Sequence, residues 1–152
     1  MTEAAADPSP IKTAVDNDVI LKAVCYGLTS TFWPACTRER VGVLGVARYV
    51  ITRSIEKADL NGDKAVVQAG LSEFLGDSTV LEPTDDEVQL AAEMEREAQE
   101  AGLALDAGES QLCSIVTTRA LAGLETGDKR AIRSIEQLLD RVEGLRGLCG
   151  KV

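Results

Sequence analysis

The chain has 152 residues and a formal net charge of −9, and 45% of its residues are hydrophobic while only 3% are aromatic. This length and composition suit one globular domain rather than a disordered chain. The negative charge argues against broad nucleic-acid binding by a basic surface, although bound cations could still bring a phosphodiester to an enzyme. Because the chain has no histidine, histidine-dependent nucleophilic catalysis and histidine-ligated zinc are excluded, and a metal held by oxygen ligands alone would be Mg²⁺, Mn²⁺ or Ca²⁺.

The N-terminal segment, MTEAAADPSP, is acidic and Pro-rich, so we expect residues 1–10 to form a flexible tail and not a signal peptide. Residues 11–152 are expected to form a single domain. No apolar run approaches the roughly 20 residues that a membrane span needs. The cysteines form no CxxC pair and are expected to be buried free thiols in a reducing cytoplasm; they are Cys25, Cys36, Cys113 and Cys149.

The first half of the chain predicts one strand and three helices. IKTAV, at 11–15, has the short β-branched pattern of a buried strand, and a helix follows it and closes near Gly27. Residues 29–36 are predicted to be a loop around Pro34. A long helical pattern then runs from 38 to 58, and another helix runs from 64 to 75.

Three more strands and three more helices are predicted in the second half. STVLEP, at 78–83, reads as a strand, and TDDE, at 84–87, reads as the capping box of a helix that ends before Gly102. LAL at 103–105 and AGLET at 122–126 are short predicted strands on either side of a helix at 110–121. The last helix begins near Asp128, and the final residues would suit a turn into one more strand. This alternation predicts an α/β domain with a mainly parallel sheet.

Acidic residues stand where a predicted strand passes into a helix: Asp16 with Asp18, Asp106 with Glu109, and Asp128. The carboxyl ends of parallel strands meet at one edge of a sheet, so these carboxylates can converge there. Carboxylates close together repel each other, so at least one of these acids should have a raised pKa, and a divalent cation would relieve the repulsion. Each acid is equally well explained as a helix cap, and DAGE at 106–109 has the spacing of a cap with an acid at its third position. Spacing alone leaves both interpretations open.

Basic side chains accompany two of these acids. Lys129, Arg130 and Arg133 follow Asp128, and Lys22 lies one helical turn after Asp18. They are either ordinary surface charge or contacts for an RNA phosphate.

Two further patterns are interpreted structurally. DLNGDK, at 59–64, has part of the spacing of a calcium loop, but Lys64 and Gly70 occupy the positions that need glycine and a bidentate acid, so a polar turn is predicted. Phe32 and Trp33 are predicted to fill the core rather than to stack on bases.

Three segments together resemble the PIN-domain family of small metal-dependent ribonucleases. TAVDNDVILK resembles the opening strand and its Asp-x-Asn turn, with Asp18 where Asn is commoner. LDAGESQLCSIV resembles the variant signature in which Gly-Glu opens a helix, which makes Glu109 the third acid and Asp106 an extra acid or a cap. LETGDKRAI resembles the closing Thr-x-Asp segment, with Asp128 and a supporting Thr126.

The resemblance, from about residue 11 to 145, implies a three-layer α/β/α fold and hydrolysis of RNA with Mg²⁺ or Mn²⁺. Asp16, Glu109 and Asp128 would be the catalytic metal ligands, with Asp18 and Asp106 as further ligands. Lys22, Thr126, Lys129 and Arg130 would contact the substrate. Many family members are toxins, so an antitoxin-like protein partner and a homodimer are also implied.

The chain departs from the family pattern in two ways. The usual acid on an early helix has no recognisable counterpart, although Glu39, Glu56 and Glu73 are available nearby. The expected final strand would begin about where the sequence stops.

Three functions follow as hypotheses. The first is a metal-dependent ribonuclease. The second is a PIN-like domain without catalysis that serves as a binding or regulatory module, which the incomplete acidic set and the charge favour. The third is a phosphatase-like hydrolase with an Asp nucleophile, for which Asp16 and Asp18 supply a DxD opening but the flanking pattern lacks other landmarks.

Overall fold

The computed structural model describes residues 11–152, so the predicted tail at 1–10 lies outside the described residues. The sheet has four parallel strands, β1 (Thr13–Val15), β2 (Val41–Leu44), β3 (Thr79–Leu81) and β4 (Gly123–Glu125), in the order β3-β2-β1-β4. The helices are α1 (Asn17–Cys25), α2 (Thr29–Phe32), α3 (Ala47–Lys57), α4 (Lys64–Asp77), α5 (Asp85–Glu100), α6 (Ala107–Thr118) and α7 (Lys129–Leu138), with 3-10 helices at Ala35–Arg40 and Glu143–Leu148.

Side chains alternate across the sheet, and each face is covered by helices. Val15, Val41 and Val43 point to a core shared with α1, α3 and α4, whose largest fully buried side chain is Phe74. Ala14 and Leu124 point to the opposite core, which α5, α6, α7 and the C-terminal 3-10 helix cover. The predicted three-layer α/β/α fold with a parallel sheet is therefore confirmed.

Several predicted elements are confirmed with small shifts of their ends. The strands at 11–15, 78–83 and 122–126 correspond to β1, β3 and β4. The capping box that opens α5 is formed in full, since Thr84 Oγ1 accepts from Glu87 N and Glu87 Oε2 accepts from Thr84 N. Gly27 and Gly102 follow α1 and α5 with φ of 66°, the left-handed conformation that ends a helix.

Two predictions around residues 29–58 are wrong. The predicted loop at 29–36 contains α2 and the start of a 3-10 helix, and the long helix predicted from 38 to 58 is interrupted by β2. VGVL at 41–44 is buried on both faces, and such a short apolar run satisfies a helical and a strand pattern equally. Gly42 allows close strand packing, because a Cβ there would lie 2.6 Å from Leu81 Cδ1.

One later prediction is also wrong. LAL at 103–105 forms no strand, and its leucines pack partly buried against the core instead. Within residues 11–152 no strand follows α7, and the last element is the 3-10 helix at Glu143–Leu148. Lys151 nevertheless supplies β4 with one strand-like hydrogen bond, because its carbonyl accepts from Leu124 N at 2.7 Å.

Candidate functional site

A cleft of about 800 Å³ opens at the carboxyl edge of the sheet, and all five predicted acids line it. Asp16 follows β1 directly, and Asp128 comes three residues after the neighbouring strand β4. Asp106 and Glu109 reach the cleft from the start of α6, which packs on these two strands. The parallel sheet thus brings together side chains that are more than a hundred positions apart in sequence.

Asp16 is held by both of its carboxylate oxygens. As the N-cap of α1 it accepts a hydrogen bond from Asn17 N to Oδ1 at 2.7 Å, and Thr126 Oγ1 donates to Oδ2 at 3.3 Å. Burial raises the pKa of Asp16, and the charges of Asp106 and Asp18 raise it further. Thr126, predicted both to support the site and to contact the substrate, is not among the described residues that line the cleft, and it reaches the site only through its hydrogen bond to Asp16.

Glu109 and Asp106 form a capping box at the start of α6. Asp106 Oδ1 accepts from Glu109 N at 2.8 Å, and Glu109 Oε2 accepts from Asp106 N at 2.9 Å. Glu109 is only 6% exposed. Burial, followed by the charges of Asp106, Asp16 and Asp128, raises the pKa of Glu109 to about 7. The cap and the cluster are therefore compatible, because the box fixes Glu109 while its carboxyl stays in the field of the other acids.

Asp128 is the most exposed of the three predicted catalytic acids. It caps α7, and its Oδ1 accepts from Arg130 N at 2.7 Å. This backbone hydrogen bond, together with the Arg130 side chain, lowers the pKa of Asp128. Arg130 lines the cleft, whereas Lys129, the other predicted substrate contact on α7, does not.

Two acids of the cleft are paired with cations, Asp128 with Arg130 at 3.4 Å and Asp18 with Lys22. Lys22 Nζ lies 2.6 Å from Asp18 Oδ2, one helical turn away on α1. The hydrogen bond to Asp18 raises the pKa of Lys22, and the charges of Asp128 and Asp16 add to this effect. The pair rests against Gly127, where a Cβ would lie 2.8 Å from Asp18 Oδ2. The α1 side of the cleft is therefore partly neutralised, and the α6 side holds only acids.

The donors fit a hard cation in their chemistry but are not gathered into a ligand set. Within residues 11–152, no three His, Cys, Asp or Glu side chains form a group that could hold a metal ion. The capping hydrogen bonds hold one oxygen each of Asp16, Asp106, Glu109 and Asp128 on backbone amides. A cation would have to draw the remaining oxygens together. It would relieve the repulsion among the acids, which adds to burial in raising the pKa values of Asp16 and Glu109.

The early-helix acid of the PIN pattern has no counterpart in the cleft. Of the acids considered for it, Glu73 instead pairs with Arg38 at 3.1 Å, and neither Glu39 nor Glu56 is among the described residues that line the cleft. The apolar part of the cleft wall comes from α1 and the start of α3, and no motif in the sequence indicated it. It consists of Leu21, Val46, Val50 and Ile51, and Ser54 of α3 also lines the cleft. The sequence signal for this wall was the helical spacing of Val46 and Val50, which are four residues apart and partly exposed in the structure.

The remaining sequence expectations have clear outcomes. Trp33 is buried in the core as predicted, whereas Phe32 is 58% exposed. All four cysteines are free thiols, but the prediction that they are buried is wrong for Cys36 and Cys149, which are exposed. DLNGDK forms a polar turn in which Asp63 caps α4. Among residues 11–152, no helix is both long and apolar enough to cross a membrane.

Comparison with known proteins identifies the fold. No family model matches the chain, and no curated protein matches it. A solved structure, the crystal structure of PAE2754 from Pyrobaculum aerophilum, is similar with a TM-score of 0.61 and 20% sequence identity. The similarity covers 89% of this chain and 98% of that chain. At this identity the similarity shows a shared fold and carries no information on activity.

Proposed function

We propose that the chain is a PIN-like ribonuclease that depends on Mg²⁺ or Mn²⁺. The observation that supports this best is the convergence of Asp16, Glu109 and Asp128 on one cleft at the carboxyl edge of a parallel sheet. These three carboxylates would hold the cation, and Asp18 and Asp106 would be further ligands or positioning groups. The cation would supply an activated water and neutralise charge on the phosphodiester.

The chain's own residues would bind and orient the substrate. Arg130 and Lys22 line the cleft and offer positive charge to a phosphate, and Lys129 precedes Arg130 in the sequence. Thr126 and the α6 capping box would keep Asp16 and Glu109 in fixed rotamers. The apolar wall formed by Leu21, Val46 and Val50 would exclude water from one side of the bound strand.

A binding or regulatory module without catalysis is the second candidate. Two observations favour it: α3 presents Ser54 and aliphatic side chains to the cleft where the family carries an acid, and Lys22 already neutralises Asp18. In this alternative the cleft would recognise a ligand without cleaving it.

The proposal extends to partners and location. Val46, Tyr49 and Val50 are exposed on α3 at the rim of the cleft, where an antitoxin-like protein or a second copy of the chain could pack. The four free thiols suit a reducing cytoplasm.

A Mn²⁺ titration tests the proposal. We expect Mn²⁺ to raise the melting temperature of the wild-type chain and to support RNA cleavage, and Asp16→Asn and Asp128→Asn to lose both effects. Asp59→Asn, at an exposed loop position away from the cleft, is the matched control and should keep both. If Mn²⁺ stabilises the wild type but RNA stays intact, the binding module is supported. If Mn²⁺ does neither, the metal site is wrong.

A further inference from the structure

A second cavity, of about 210 Å³, lies at the amino ends of the strands, on the other side of the sheet's length from the acidic cleft at their carboxyl ends. It is smaller than the roughly 300–1,000 Å³ typical of pockets for drug-sized ligands, so it suits one small chemical group. The cavity opens where β1 and β2 begin. It is lined by Lys12, Thr13, Trp33, Thr37, Arg40 and Val41.

Two cations, Lys12 and Arg40, line this cavity. Lys12 N donates to Arg40 O at 2.9 Å, so the two residues stand side by side at the starts of neighbouring strands. Over residues 11–152, neither side chain forms an ion pair, and no acid lines the cavity. Arg40 Nε is buried and has no hydrogen-bond partner among the described residues. A buried donor without an acceptor is costly, and like charges side by side on neighbouring strands repel each other.

The same 3-10 helix shows how an arginine is satisfied when its position is purely structural. Arg38, two residues before Arg40, donates from Nε to Trp33 O at 3.0 Å. Its guanidinium also pairs with Glu73 and Asp77, each at 3.1 Å. Arg38 is thus fully provided with acceptors by its own fold, and Arg40 is not.

Glu125, the last residue of β4, is an acid beside two of the lining residues, Trp33 and Thr13. Burial raises the pKa of Glu125, and these two side chains partly oppose that rise. It lies in no ion pair with Lys12 or Arg40 within the part of the chain that the structure describes. The positive charge of the cavity is therefore left for a ligand.

We propose that this cavity binds a small oxyanion, a phosphate or carboxylate group, between the Lys12 ammonium and the Arg40 guanidinium. A bound oxyanion would give Arg40 Nε its missing acceptor. Its negative charge would also offset the repulsion between Lys12 and Arg40. Planar guanidinium donors bind both kinds of oxyanion through charge-assisted hydrogen bonds. The inference does not depend on the proposed ribonuclease activity, because the two sites lie at opposite ends of the strands.

The chain's single tryptophan lines the cavity and provides a direct reporter. Trp33 fluorescence would be titrated with inorganic phosphate at fixed pH and ionic strength, in the presence of EDTA. We expect a saturable change in the wild type and binding weakened by roughly tenfold or more in Arg40→Gln and Lys12→Met, since each loses a charge-assisted contact. Arg146→Gln removes one charge at an exposed position away from the cavity and should bind as the wild type does.

A second readout does not depend on how the variants fold. The Nε–H resonance of Arg40 in the wild type should shift on saturation with phosphate, because that proton gains an acceptor. The same resonance distinguishes the sources of the oxyanion. If the double substitution Glu3→Gln, Asp7→Asn shifts the Arg40 resonance relative to the wild type before any anion is added, the chain's own carboxylates supply the group. If it shifts only on addition of phosphate, the ligand is external.

The proposal is overturned if phosphate moves neither the fluorescence nor the resonance in the wild type and in the Glu3→Gln, Asp7→Asn chain. It is equally overturned if Arg40→Gln and Lys12→Met both fold and bind phosphate as tightly as the wild type.

Discussion

Glu109→Gln should stabilise the protein at neutral and alkaline pH, although it alters a proposed catalytic residue. The fold favours the neutral carboxyl, because burial and three neighbouring acids raise the pKa of Glu109 from 4.5 to about 7. Between these two values the unfolded chain has lost the proton and the folded chain still holds it. Stability from this group is therefore present at acid pH and is lost as pH rises from 4.5 to 7.

The size of the effect follows from the same shift. One pKa unit corresponds to about 1.4 kcal/mol, so ionised Glu109 costs at most about 3 kcal/mol at pH 8. Total stabilities are about 5–15 kcal/mol, so the difference is measurable. In a domain of this size it corresponds to a rise in melting temperature of roughly 6 to 12 °C. Glutamine preserves the capping box, which accepts Glu or Gln at its third position.

Urea unfolding of both proteins at pH 4.5 and pH 8, in EDTA, measures this difference. Glu109→Gln should match the wild type at the lower pH and exceed it at the higher. The matched control is Glu87→Gln, at the same position of the other capping box, where the carboxylate pairs with Arg119. This control should be destabilised at pH 8. The reasoning is refuted if Glu109→Gln gains nothing at pH 8 or gains equally at both pH values.

Other positions test the packing and the ion pairs. Arg119→Met should cost about 3–5 kcal/mol, because it leaves the charge of Glu87, which is 1% exposed, without its cation. Since Arg119 lowers the pKa of Glu87 below 4.5, that stabilisation is present above pH 4.5 and is lost as pH falls through the lowered value, so an acid titration of unfolding should separate the two proteins. Phe74→Ala should cost about 3–5 kcal/mol, and the exposed Val66→Ala should change stability by no more than about 0.5 kcal/mol in the same denaturant series. Gly42→Ala should cost about 1–3 kcal/mol, because its Cβ would lie 2.6 Å from a buried leucine of the next strand; an unchanged unfolding midpoint would show that the sheet can adjust there.

Local chemistry predicted most of the fold, and tertiary pairing explains the misses. The strands at 13–15 and 79–81 stand between clear turn and cap signals, which made them visible in the sequence. VGVL at 41–44 has no such boundary, because the basic 3-10 turn before it and the helix after it continue a helical rhythm. LAL at 103–105 has strand-like residues, but the four-stranded sheet gives it no partner. Pairing is a property of the neighbour and cannot be read from the segment itself.

The two capping boxes show the same limit at the level of the site. TDDE at 84–87 and DAGE at 106–109 form the same two hydrogen bonds, and each places a buried glutamate at its third position. Their surroundings have opposite charge. Arg119 lowers the pKa of Glu87, whereas Glu109 faces acids contributed by two other helix starts. The motif alone therefore cannot tell a structural cap from a candidate site.

What separates the two boxes is their position relative to the sheet. The start of α5 follows β3, which lies at one edge of the sheet, so few strand ends adjoin it and a single arginine neutralises its glutamate. The start of α6 lies over β1 and β4, whose carboxyl ends supply Asp16 and Asp128. Because strand order places β1 beside β4, acids that are ordinary caps one by one accumulate into an excess of negative charge, which Lys22 and Arg130 neutralise only in part. That excess is a consequence of topology, and it is the property a cation-dependent site would use.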